Sequence, residues 1–484
     1  MNKIIKALMV GLVLTMLASC SDNEGQPFDE PEVNSATLCY VTVPDTAKTL
    51  TAERAIMIAA RHSGTGADSR TAGRLPASID AVNDEDGNPL MYVVNYTDNK
   101  GFVILSASKE YYPILAESDE GSFDLRNLEP EHPVNLWLDE QKFLVEHIDA
   151  LPDSVKSRAA SLWMEYNYDR AAISAAIDSR ANYPEKPQVY YDSLRRWTLD
   201  PNIEVYTYED YINTEEYSHL SDEVKRDIKS SIHYLGNSQY GTVESSTLVL
   251  RKSLYKEFRN QLIQTKWAQG EPYNGMIPGK KLGCTTVAVG QIMKYHKFPV
   301  YFAWDNMPNI GATIVTQSFL YELGKEINGG DFGSKKTGAS IGEVKSALKK
   351  YGYRVSEHSH NPNSVSSQLS LGKGFPVCMF GDNRAGDGSH AWVCDGIDTR
   401  SSHIEIRFMT LEYRPTTVSI PPMIEAYKIM NLEWTYTKFH YIWGANGDFD
   451  AFFYDSDISF TDGKGDVKDY SKNRKDVHVS PNYQ

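Results

Sequence analysis

Trp267-Ala268-Gln269-Gly270-Glu271-Pro272-Tyr273-Asn274 and, after a Gly/Pro-rich loop, Leu282-Gly283-Cys284-Thr285-Thr286-Val287-Ala288-Val289-Gly290-Gln291-Ile292-Met293-Lys294-Tyr295-His296 carry the decisive information in this chain. After Gly283 the apolar residues Ala288, Ile292 and Tyr295 recur at helical spacing, so Cys284 is expected at the start of a buried helix. Unpaired N–H groups and the dipole at such a terminus favour a thiolate, which is the reactive form of cysteine. A thiolate that attacks a carbonyl also needs a base to return the proton to the leaving amine, and histidine does this near neutral pH. Among twelve histidines, His390 has the best surroundings. It follows the Gly/Asp-rich loop 381–389 and opens an apolar strand, Ala391-Trp392-Val393-Cys394, that stops at Asp395-Gly396. A lone histidine is more often a core or surface residue, but a strand mouth beside a loop is where a cleft base belongs.

The composition bounds the class. A chain of 484 residues suggests two or three folded units at roughly 150 per domain. With 49 Lys+Arg against 64 Asp+Glu the net charge is 49 − 64 = −15, which argues against a nucleic-acid partner because phosphate contacts need a concentrated basic face. The 41% hydrophobic content supports a packed core, and a mean hydropathy of −0.45 excludes a multi-span membrane protein. Five cysteines in this length, with no C-x-x-C pair, are no disulfide scaffold.

The first residues assign a compartment. Lys3 and Lys6 form a basic head, and the apolar run from Ala7 to Leu17 is too short to span a bilayer, so 1–19 reads as a signal peptide. Leu17-Ala18-Ser19-Cys20 resembles a bacterial lipobox, which implies cleavage before Cys20 and a diacylglycerol on its thiol. The rival reading is an ordinary secretory signal with an incidental cysteine. Residues 20–34 are a polar tether, and its acidic start resembles the surface-export signals of some Gram-negative lipoproteins. The expectation is an exported protein, lipid-anchored to the outer membrane and exposed at the surface, with the membrane as a partner through that anchor.

Four stretches follow. Residues 35–150 read as a small α+β module. Thr51 caps a helical pattern to Ala60, and two strand-like runs, Met91–Tyr96 and Phe102–Leu105, are joined by the hairpin signal Asp98-Asn99-Lys100-Gly101. Residues 134–150 then read as an amphipathic helix. Residues 151–245 read as a polar, helical linker with exposed breaks at 181–187 and 236–241, where an activation cut is expected. Residues 246–460 hold the chemistry, and 461–484 read as a polar C-terminal segment.

Other candidates are weaker. The loop Gly275–Lys281 has glycines one residue short of a phosphate loop, with no Ser or Thr after the lysine. His358-Ser359-His360 has no third ligand at motif spacing, so it reads as a solvated loop, and neither a metal nor a cofactor is expected. Cys378 and Cys394 read as buried thiols, and sequence leaves open whether they pair. Cys39, in an apolar stretch, reads as inert. His296 falls in the last turn of the Cys284 helix, where a cation offsets the dipole. His440, three residues before Trp443, is the rival base.

The segments W-A-Q-G-E-P-Y-N, G-C-T-T-V-A-V-G-Q-I-M-K-Y-H-K-F-P, G-S-H-A-W-V-C-D-G-I-D and H-Y-I-W-G-A-N-G-D-F-D-A-F-F come in the order and spacing of the streptopain family, which the chain therefore resembles. Residues 91–124 are similar to that family's propeptide, a domain shared with its dedicated inhibitors, and 301–308 and 339–353 also match. The resemblance implies an α+β architecture: a two-lobed, papain-like cysteine peptidase domain preceded by a small propeptide-like domain. One lobe would be helical and carry Cys284. The other would be an antiparallel sheet carrying His390 and Trp443, with sulfur and imidazole facing each other across a cleft. It also implies protein or peptide substrates, and the chain's own propeptide or a related inhibitor as a partner. By position, Cys284 matches the nucleophile, His390 the general base, Gln269 the oxyanion-hole amide, and Trp443 the tryptophan that covers the imidazole. The chain departs from the family at Ile442, which replaces the asparagine beside the imidazole, and at Ala445 and Asn446, which replace a Trp and a Gly; the Gly-rich loop before the family's C-terminus is missing. These departures motivate the alternative: a weakened or inactive papain-fold surface lipoprotein acting as a binding protein.

Overall fold

The computed structural model describes residues 48–62, 74–167, 203–214, 244–333, 338–372, 374–382, 389–413, 423–455, 459–461, 467–469 and 474–482, with scattered positions from 217 to 229. The expected signal and tether, Cys20, Cys39, the breaks at 181–187 and 236–241, and the loop 383–388 lie outside these residues.

The N-terminal module contains α1 (Ala52–His62), β1 (Pro76–Asn83), β2 (Pro89–Tyr96), β3 (Phe102–Ser106), β4 (Ile114–Ser118), α2 (Val134–Glu146) and α3 (Asp153–Asn167). Thr51 Oγ1 accepts the Arg54 N–H and so caps α1. In the β2–β3 hairpin Asp98 and Asn99 take left-handed φ values of 58° and 56°, conformations that Asp and Asn tolerate. Gly101 is obligatory there, since a Cβ would sit 1.9 Å from the Ser118 carbonyl oxygen.

Beyond it come β5 (Ile203–Thr207), α4 (Tyr208–Tyr211), β6 (Glu244–Gln261), α5 (Cys284–His296), α6 (Ile314–Asn328), α7 (Ile341–Lys350), β7 (Tyr353–Ser359), α8 (Pro362–Ser370), β8 (Val377–Asp382), β9 (Ser389–Tyr413), β10 (Met423–Ile442), β11 (Ala451–Tyr454), β12 (Ser459–Thr461), β13 (Val467–Asp469) and β14 (Lys475–Pro481). The fold is α+β. One antiparallel sheet runs β1-β2-β3-β4-β11-β10-β9-β8-β14-β7, with β6 paired to β9 and β5 to β6. The module's sheet is therefore continuous with the sheet that carries His390, joined where Phe452 and Phe453 of β11 oppose Glu117 and Ala116 of β4.

Side-chain alternation gives this sheet two functions. Ala391 and Val393 of β9, with Ile442 of β10, face a core built on α5, α6 and α7. Trp392, Cys394, Phe439, Tyr441 and Trp443 face a second core that they share with module residues such as Trp137 and Phe123. Trp137 seals this side by donating its indole N–H to the Tyr454 carbonyl at 2.9 Å.

Three expectations need correction. β9 does not stop at Asp395-Gly396 but continues to Tyr413, because its neighbour changes there from β8 to β6. The region 151–245 is not wholly helical, since Ile203–Thr207 and the strand starting at Glu244 pair with each other. Within 461–484, expected to be a polar C-terminal segment, Lys475–Pro481 is a strand wedged between β7 and β8, with Val477 and Val479 fully buried. Two valines at period two among charged residues are too short a pattern to announce a central strand.

Candidate active site

Cys284 is the first residue of α5. Gly283 before it has φ 95°, a conformation that turns the incoming chain sharply and that glycine alone adopts without strain. From Thr285 to Met293 the helix is buried on every side, between the sheet and α6. Its packing is tight: a Cβ on Gly290 would come within 2.8 Å of Leu320 Cδ2. The partly buried Cys284 therefore sits at a helix N-terminus held by packing rather than by a side-chain cap. Its sulfur lies 3.9 Å from Thr285 Oγ1.

Two main-chain contacts gather the other expected residues around this terminus. The Leu282 N–H donates to the Gln269 carbonyl at 3.0 Å, which fixes Gln269 beside the turn into α5. Ala268 forms an antiparallel bridge with Ala445, which fixes the same stretch to the loop after Trp443. That loop also touches α5 directly, since a Cβ on Gly444 would lie 3.2 Å from Val287 Cγ1. Trp443 is 1% exposed and packs 5.5 Å from Trp392, which stands two residues after His390 on β9. Its indole N–H donates to the Phe449 carbonyl at 3.1 Å, and its backbone N–H to Asp450 Oδ1 at 2.9 Å. Burial pushes Asp450 up to about 7, while His440 and the Trp443 N–H act against it.

His390 is placed differently. It opposes Gly381 on β8, three residues along the ladder from the Cys378–Val393 pair, and shares the strand face of Trp392. Cys284 packs against the core that contains Cys378, whose thiol burial, with a smaller effect of Cys284, pushes well above its usual range. Cys284 is thus grouped with Gln269 and the Trp443 loop on the helical side, while His390 acts electrostatically on the module's His132. The His132 imidazole is pushed down to about 4 by burial, and His390 adds to the effect.

The remaining candidates resolve as structural groups. The rival base His440 is 6% exposed, with Nδ1 2.6 Å from Asp395 Oδ1. Asp395 is fully buried and also accepts the Ile263 N–H at 2.7 Å, so it ties β9, β10 and the segment leading to Gln269 together. His296 is not a cation facing the dipole. Its ring packs among Tyr295, Tyr353 and Phe375, both nitrogens lack hydrogen-bond partners among the described residues, and burial pushes it down to about 4. His360 is no solvated loop residue but a buried member of an ion cluster. Cys378 and Cys394 are free, and they face opposite sides of the sheet, which precludes a bond between them. Both thiols are fully buried, so a chromogenic disulfide reagent is expected to leave them unmodified in native protein and to titrate them only after unfolding. Modification of either in the native state would contradict this packing.

Sequence reasoning missed Asp395, Asp450, His132 and Phe449. An Asp-Gly pair reads as a turn, and a histidine before a proline carries no mark of its distant neighbours.

A family model described as Spi protease inhibitor matches residues 47–143, and one described as Peptidase C10 family matches residues 267–306. Streptopain of Streptococcus pyogenes, including its serotype M3 and M1 forms, is 26% identical over 227 residues, covering 34% of this chain and 56% of that protein. The chain thus spans little more than half the length of the curated relatives it matches. A fragment of Prevotella intermedia prointerpain A, carrying a cysteine-to-alanine mutation, aligns at 16% identity with a TM-score of 0.40, covering 83% of this chain and 97% of that one. With an inhibitor-type segment ahead of a C10-type segment, the chain is similar to the streptopain family in its arrangement of propeptide followed by peptidase.

Proposed function

We propose that this chain is a cysteine endopeptidase made as an inactive precursor and acting on proteins or peptides. The observation that carries the proposal is Cys284 at the N-terminus of a buried helix, with Gln269 bonded to the turn that precedes it. In the reaction the Cys284 sulfur attacks the carbonyl carbon of the scissile bond, and a thioester forms as the amine leaves. His390 takes the thiol proton and delivers it to that amine; water, deprotonated by His390, then cleaves the thioester. The side-chain amide of Gln269 and the N–H of Cys284 stabilise the oxyanion, each donor by on the order of 3 kcal/mol. Trp443 shields the imidazole from water. Residues 1–19 direct export, and lipid on Cys20 anchors the protein to the outer membrane, facing outward.

The test is covalent labelling by an epoxide- or vinyl-sulfone-type thiol probe after the chain is cut within residues 171–200. Labelling of the wild type that disappears in both Cys284→Ala and His390→Ala is the expected result. An unreactive Cys284 in the cut protein would refute the enzyme. A second reading, a binding lipoprotein that kept the fold, is favoured by Ile442, which is 2% exposed, faces the helical core and offers the imidazole no hydrogen bond.

The module is proposed to keep the site inactive until the connection is cut. The continuous sheet supports this, as does the Lys266–Glu120 ion pair at 2.5 Å, which fastens the module beside Trp267.

A further inference from the structure

We propose that the module restrains the candidate site through Phe449, whose ring it grips and whose main chain holds Trp443 in place. This rests on the peptidase reading above and concerns the regulation of that same site.

Phe449 has φ 60°, in the left-handed region. A bulky side chain stays there only when its surroundings compel it. Gly444 and Gly447 in the same loop, at φ 73° and 86°, bear no such cost. Two rings supply the compulsion, and both belong to the module. Phe123 meets the Phe449 ring edge-on at 4.9 Å, and His132 meets it edge-on at 4.8 Å. Phe123 is fully buried and packs on Phe102 at 5.2 Å, so its ring is anchored in the module's own core. His132 is anchored as well, because its Nδ1 accepts the Val134 N–H at 3.2 Å at the start of α2. That bond puts the neutral ring's proton on Nε2, which is buried and has no hydrogen-bond partner among the described residues.

The grip passes to the site through the main chain. The Phe449 carbonyl accepts the Trp443 indole N–H, and the next residue, Asp450, accepts the Trp443 backbone N–H. While the module is docked, Phe449 stays left-handed and Trp443 is held by both bonds. When the module withdraws, the two rings no longer hold Phe449 and only the loop's own hydrogen bonds oppose its return to negative φ, which swings its carbonyl off the indole and frees Trp443. His390 also adds to the lowering of the His132 pKa, so the module side chain that touches the clasp feels the charge of the proposed base.

The experiment uses the uncut full chain, with linker-cut wild type as reference. Phe449→Ala leaves a residue for which left-handed φ is still costly but removes the gripped ring, so nothing from the module holds that backbone, and His132→Ala removes one gripping ring from the other side. Both are expected to raise the rate of Cys284 labelling in the uncut chain about tenfold, the population shift that one left-handed residue sets. Both should also speed hydrogen exchange of the Trp443 indole. Phe449→Tyr and His132→Phe, which keep the rings, should stay near wild type, which separates the clasp from a general loss of folding. If both alanine variants label and exchange at wild-type rates, the clasp is wrong. If linker-cut wild type does not label at all, the peptidase reading fails, and Trp443 exchange alone still decides the clasp.

Discussion

Replacing Lys438 by methionine is expected to cost the full chain about 3–5 kcal/mol of stability, measured as a fall in the denaturant midpoint. Lys438 lies on β10, is 1% exposed, and donates to Glu117 on the module's β4. Its Nζ is also 3.6 Å from Asp398 Oδ2. Glu117 is shared further: His62 of α1 contacts its second oxygen, and Arg400 of β9 approaches at 3.5 Å. Burial alone would raise the Glu117 pKa, but Lys438 foremost, then His62 and Arg400, hold it well below the usual carboxylate range. Removing the ammonium leaves that carboxylate in a site built for a cation, so it must take up a proton or recruit one for His62, which burial keeps neutral. The cost comes from the stranded partner rather than the lost pair. Lys438→Met combined with Glu117→Met should therefore recover more than half of the loss. A single-variant cost under about 1 kcal/mol would mean that the cluster behaves as a solvated surface pair, and the buried interface would have to be redrawn.

This cluster also marks where sequence reading stops. Glu117 and Lys438 stand 321 positions apart, and Glu140 and Arg474 stand 334 apart. A charged residue in a strand pattern carries no sign of the opposite charge that will bury it. Helix α5 was legible because Gly283 and the 3.6-residue recurrence of apolar side chains speak within one window, and the β2–β3 hairpin because Asp98 and Asn99 tolerate the conformation its turn needs. The same local logic failed at Gly396. There glycine serves close approach instead of a turn, since a Cβ would meet the Asn260 carbonyl oxygen at 2.6 Å as β6 takes over from β8. It failed at His296 too, where the helix dipole argued for a cation and Tyr353, more than fifty residues on, covers the ring. Within the candidate site, Cys284 and Gln269 lie in one window of sequence. His132, whose electrostatics His390 influences, stands more than 250 positions earlier, and only the fold reveals the link.

His360→Asn is expected to flatten the alkaline limb of the stability curve. The His360 side chain is fully buried, with Nδ1 2.9 Å from Asp476 Oδ1 and Nε2 3.0 Å from Asp455 Oδ2 in an ion pair. Neither carboxylate serves it alone. Asp476 also accepts the Asn361 N–H at 3.0 Å, and Asp455 also takes Tyr441 and Arg474. Arg474 in turn reaches Glu140 on the module's α2, so the cluster spans both parts of the chain. Burial alone would lower the His360 pKa, but Asp455 and then Asp476 outweigh it and push the imidazolium up to about 10. A histidine pKa raised from 6.5 on folding gives stability that is complete below about pH 6.5 and fades as pH rises through 10. Over that window the loss is on the order of 4 kcal/mol, with a slope approaching 1.4 kcal/mol per pH unit. Urea unfolding at pH 7, 8.5 and 10 measures it, and the slope is the diagnostic quantity. Asparagine cannot neutralise the two aspartates, so the variant should be weaker than wild type at pH 7 but less sensitive to alkali. Tyrosine and lysine titrations contribute equally to both proteins and cancel in the difference. Parallel slopes would mean that His360 is already neutral at pH 7, and then Arg474 alone would have to balance Asp455 and Asp476.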